Sequence, residues 1–119
     1  DHIIALNNLA WNLLDENPEQ ALNYAERALK LSPNSSSIHD TLAMAQLKNG
    51  KQVEARRSID RALTFAPDRT ELRLHQAQIR AAGGDTDGAI KSLIALLESD
   101  SKFAERSDAE ALLKKLKSG

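Results

Sequence analysis

The chain has 119 residues, with 16 basic and 17 acidic side chains, a formal net charge of −1, 3% aromatic residues and no cysteine. That length fits one domain, and the lack of thiols excludes disulfides and thiolate metal sites. Balanced charge and few aromatics argue against a nucleic-acid surface, and no apolar run approaches the ~18–20 residues that span a bilayer.

In chain order, residues 3–15 read as a first helix that is apolar from Ile3 and Ile4 onward. This start has no basic segment or small-residue cleavage site, so it is not expected to act as a signal peptide. It has no initiating Met either, and the expectation is a piece of a longer polypeptide. Asn17-Pro18 marks a short turn into a second helix at 18–31, which Pro33 stops, since proline cannot continue the hydrogen-bond ladder. A third helix is expected at 36–48, ending before Gly50, where a positive φ is favoured. The fourth spans 52–65 and stops before Pro67. Asp68-Arg69-Thr70-Glu71 reads as a capping-box-like start for a fifth helix at 69–82, which ends before Gly84. Asp85 is the expected cap of a sixth helix at 86–98. The last, at 104–117, carries Ala109, Leu112, Leu113 and Leu116 as one apolar stripe on a charged helix.

These elements repeat. Ala21, Ala55 and Ala89 are spaced by 34 residues; so are Ala28-Leu29, Ala62-Leu63 and Leu96-Leu97, and so are Pro33 and Pro67. Leu9-Ala10 recurs 33 residues later as Leu42-Ala43, and its next counterpart is Gln76-Ala77. One period shared by independent series is the mark of a stacked helical array, in which small residues sit where two backbones approach. In the middle unit the pattern is His39, Leu42, Ala43, Gly50, Ala55, Ile59, Ala62 and Pro67; the third unit departs from it at Leu96 and Ser101.

With these residues the chain resembles the tetratricopeptide repeat (TPR) family over residues 3–103. The resemblance implies an all-α, right-handed α-solenoid of three helix-turn-helix units (about 3–35, 36–69 and 70–103) closed by a capping helix at about 104–117. A narrower likeness rests on Ala5-Leu6-Asn7-Asn8-Leu9-Ala10-Trp11, Ala25-Glu26-Arg27-Ala28, Asp40-Thr41-Leu42 and Phe103-Ala104-Glu105-Arg106. These strings are similar to the C-terminal units of bacterial TPR lipoproteins that accompany exosortase and exopolysaccharide export systems. That likeness implies a bacterial envelope or periplasmic location.

No catalytic constellation is evident. His2, His39 and His75 show no ligand spacing, so no metal site is expected, and the paired carboxylates lie at helix ends, where acids serve as caps. His39 is expected at the large position of its helix and His75 on a polar face. Gly83-Gly84 is a helix stop rather than a phosphate loop. Arg56, Arg57 and Arg61 read as a solvated face. The chain is therefore expected to be no enzyme and to use no cofactor.

Family geometry places the inner, concave surface on the first helix of each unit. Carried over, this groove comprises Asn7, Asn8 and Trp11, then Asp40, Thr41, Met44 and Lys48, then Glu71, His75 and Gln78. Trp11 and Met44 are the only Trp and Met, suited to anchoring a peptide, although Trp11 serves equally well to pack on a preceding repeat. TPR domains that grip chaperone C-terminal carboxylates do so with Lys, Asn and Arg. Asn7, Trp11, Thr41, Glu71 and His75 stand there instead, which disfavours that ligand. The expected function is a scaffold that binds a peptide or helix of a protein partner, without nucleic acid or membrane insertion. The alternative is a structural unit that stacks on further repeats or homo-oligomerises through an apolar N-terminal end at Ile3 and Ile4.

Overall fold

The computed structural model describes residues 2–99 and 102–119, which form helices and connecting turns with no strand. The helices are α1 (His2–Asn12), α2 (Pro18–Leu31), α3 (Ser36–Lys48), α4 (Gln52–Phe65), α5 (Thr70–Ala82), α6 (Thr86–Ser99) and α7 (Arg106–Ser118). Ser101, expected where Pro33 and Pro67 close the earlier units, lies outside the described residues.

Local chemistry explains most of the boundaries. The Asn17 side chain accepts from the Gln20 amide and Pro18 opens α2; Ser35 does the same for Ile38 at the start of α3. Asp85 caps α6 through the Gly88 amide, as expected. The capping box at 68–71 does not form: Arg69 occupies the N-cap of α5 without a side-chain cap bond, and its guanidinium turns elsewhere. Gly50 and Gly84 adopt φ of 76° and 88°, which is how α3 and α5 reverse into their partners. At the equivalent place in the first turn stands Glu16, just before the α2 N-cap Asn17, and no residue other than glycine has a positive φ among the described residues. Lacking a residue with positive φ there, the chain leaves α1 early. Leu13 is shared between the Leu9 and Ala10 carbonyls, Leu14 bonds Trp11, and α1 ends at Asn12 rather than at 15.

Packing follows the alanine pattern. Ala21, Ala25, Ala28, Ala55 and Ala62 have no exposed surface, so backbones approach where a larger side chain would not fit. The main core joins all of these except Ala28, which belongs to a separate cluster with Leu6, to Leu42, Ile59, Leu72 and Ile79. A second cluster of Leu74, Ala77, Leu93 and Leu96 is covered by Ala109, with Leu112, Leu113 and Leu116 packed alongside, which makes α7 a lid on the last helix pair. Leu96, the departure from the small-residue pattern, is fully buried in that cluster. At the opposite end Ile3 packs on Leu6, Ala28 and Ile38, whereas Ile4 is 59% exposed, so the apolar end belongs to Ile4 rather than to both residues.

Curvature comes from unequal layers. α1 touches α3, α3 touches α5 and α5 touches α7, but among the described residues α2 does not reach α4, nor α4 α6. The layer in closer contact lies inside the bend, so α1, α3 and α5 form the concave face.

Candidate functional site

On that face, α1, α3 and the start of α5 enclose a recess of about 150 Å³. α1 supplies Asn7, Asn8 and Trp11, α3 supplies Ser37, Asp40 and Thr41, and α5 supplies Glu71 with Arg69 at its cap. Helical spacing explains the grouping: Asn7, Asn8 and Trp11 fall at i, i+1 and i+4, and Ser37, Asp40 and Thr41 at i, i+3 and i+4, one face in each case.

The floor is a buried polar pair. His75 Nδ1 lies 2.7 Å from Asp40 Oδ1, and the two residues are 9% and 3% exposed. The carboxylate accepts, so Nδ1 carries the proton. His75 therefore does not lie on an open polar face, as expected from sequence, but is buried and joins α5 to α3. The Trp11 ring packs on it at 5.7 Å between centroids with a 37° tilt, linking all three inner helices. Trp11 itself remains 41% exposed. His39 behaves differently: Nε2 lies 2.8 Å from the Pro33 carbonyl and the ring stacks on Phe65, a structural role at the large position.

At the rim, Arg69 donates to Ser37 Oγ at 3.1 Å and Ser36 Oγ at 3.4 Å, and approaches Glu71 only to 4.0 Å. Thr41 Oγ1 donates to the Ser37 carbonyl at 3.0 Å. Asn7 Oδ1 is buried and has no hydrogen-bond partner among the described residues. Asp40, Glu71 and His75 bring one ligand atom each to within 4.8 Å of one another. That convergence crosses two helices, which a search for histidine pairs along one helix could not see. A metal ion there would have to share Asp40 with His75 and would meet the Arg69 guanidinium beside Glu71, so the donor set fits an ion poorly.

The recess thus gathers Asn7, Asn8, Trp11, Asp40, Thr41 and Glu71, with His75 beneath. Other expected groove residues lie apart. Met44 is 9% exposed and belongs to the main core, Lys48 pairs with Asp15 at 2.8 Å, and Gln78 is half-buried on α5 outside the recess lining. Arg69 was missed because it reads as part of a cap. Its one sequence signal is a cation at a helix start, where the macrodipole favours acids.

A family model described as tetratricopeptide repeat matches residues 12–79, more than half of the chain. The chain belongs to the tetratricopeptide repeat family. Interferon-induced protein with tetratricopeptide repeats 3 of Mus musculus is 32% identical over 93 residues, which is 76% of this chain but only 23% of that protein, so the chain spans under a quarter of this relative. Among solved structures, the second TPR domain of human RPAP3, in complex with the HSP70 peptide SGPTIEEVD, superposes with a TM-score of 0.80 at 19% identity, covering 98% of this chain and 95% of that one. The Yersinia enterocolitica type III secretion chaperone SycD, in complex with a peptide of the translocator YopD, gives 0.79 at 18% identity, covering 95% and 90%. At these identities the likeness establishes the fold: an all-α TPR solenoid.

Proposed function

We propose that this chain is a protein-binding module whose concave face takes a peptide or helix of a partner, and that it has no catalytic role. The observation that carries this reading is the recess itself. It crosses three helices, ends in a half-exposed tryptophan, and stands on the inner layer of the curve. A rigid aromatic held by a buried His–Asp pair is pre-organised, so little side-chain entropy is lost when a ligand packs on it. The RPAP3 and SycD domains, which share this fold, are both known in complex with peptides. Thr41 Oγ1 donates to the Ser37 carbonyl rather than to the His75 imidazole, which supports a binding rather than a catalytic role.

Panning a random dodecamer phage library against the chain tests this reading. Enriched clones are expected to lose at least tenfold in binding to Trp11→Ala, whose ring is half-exposed and lies outside the main core. Clones indifferent to that substitution would place binding elsewhere.

A further inference from the structure

The recess presents acceptors that lack a full complement of donors. Three of its donors are already engaged: His75 Nδ1 on Asp40, Thr41 Oγ1 on the Ser37 carbonyl, and one nitrogen of the Arg69 guanidinium on two serine hydroxyls. Its acceptors are not. Asn7 Oδ1 is buried with no partner among the described residues, Asp40 keeps a second carboxylate oxygen, and Glu71 has only a contact of 4.0 Å with Arg69. That last pair is about 40% exposed on both sides, at 41% and 43%, and exposed pairs of this kind are weak and easily exchanged. A buried carbonyl oxygen left unpaired is costly, and its natural complement is an N–H or ammonium donor. The exposed Trp11 ring lies at the mouth of the same recess and offers a π-face to a cation.

We propose that the recess receives one lysine or arginine side chain from the partner peptide, its charged head directed at Asn7 Oδ1, Asp40 and Glu71 and its stem lying along Trp11. A volume of about 150 Å³ holds the end of one long side chain, not a folded element. The charge supports a cation: two carboxylates face a single guanidinium, and residues 1–47 carry six acidic against two basic side chains.

This inference rests on the concave face being the peptide site, so the test separates the two. Clones from the dodecamer library that depend on Trp11 are synthesised as peptides, each also with its lysine or arginine replaced by norleucine. Affinities are measured against the wild-type chain, Glu71→Gln and Asn7→Leu. The expected result is that binders carry a basic residue whose replacement weakens binding at least tenfold to wild type and under threefold to Glu71→Gln. Asn7→Leu is expected to melt no lower than wild type, because it removes an unpaired buried acceptor, and yet to bind the basic peptides more weakly. Binders that depend on Trp11 but lack a basic residue, or keep full affinity with norleucine, would overturn the cation site and leave the groove reading standing. A library with no Trp11-dependent clones would overturn both. Circular dichroism melts of each variant separate lost binding from lost folding.

Discussion

Asp40 and His75 show how residue-level chemistry constrains this face. Asp40 is almost fully buried on α3, and the imidazole of His75 is its one side-chain partner on α5. Neither group would be retained there alone, because a buried carboxylate without a donor loses its solvation and gains nothing. His75→Phe keeps the ring that stacks on Trp11 but removes that donor. It is expected to destabilise the fold by about 1–3 kcal/mol in urea unfolding. Adding Asp40→Leu should then cost less than the sum of the single changes, since the pair acts as one unit. Additive losses in that cycle would mean the hydrogen bond contributes little. Asp40 and His75 were legible as inner-face residues from the repeat register, but their contact was not. It joins positions 35 apart that are not repeat equivalents.

Among the helices, close approach is the governing feature. Ala55 has no exposed surface and sits in the main core beside Ala21, Ala25 and Leu42, so α4 can lie against its neighbours only because the residue is small. Ala55→Leu is expected to overpack this contact and lower stability by about 1–3 kcal/mol, with a fall in melting temperature as the readout. An unchanged melting temperature would remove Ala55 from the contact. The turns show the same logic in the backbone. Where glycine is present, at Gly50 and Gly84, the helix runs to the turn and reverses with φ above zero; where Glu16 stands instead, α1 gives up its last turn. Sequence periodicity located α2 to α7 closely and overran α1, because the shorter first turn changes how that helix ends rather than where its apolar residues fall.

At the scale of the molecule, the two ends differ. α7 closes one end by burying Leu74, Leu93 and Leu96 under its apolar stripe. The other leaves Ile4 and Leu31 more than half exposed. Uncovered apolar surface at a solenoid end favours stacking on further helices or on a second copy. The structural reading of the chain therefore has a definite test in its oligomeric state. If the open end drives association, light scattering should show a concentration-dependent dimer that Ile4→Lys converts to a folded monomer. Ile4 suits this test because its neighbour Ile3 is packed into the Leu6 cluster and would confound the result. A wild-type monomer at all concentrations would remove self-association through this end. No helix among the described residues is long and apolar enough to cross a membrane.

What the sequence determined by itself is the repeat: its period, the helix positions, the alanines at close contacts, the glycine reversals and the capping stripe of α7. These are local or periodic properties, set by which residue types can occupy a helix, a turn or a narrow gap, and they can be counted along a chain. What only the tertiary structure decided is the recess. Its floor pairs Asp40 with His75, its rim borrows Arg69 from a helix start, Met44 withdraws into the core and Asn7 is left with an unpaired acceptor. Those relations depend on the angle and offset at which three helices stack. That geometry is set by the summed packing of every contact between them and leaves no spacing to read in the sequence.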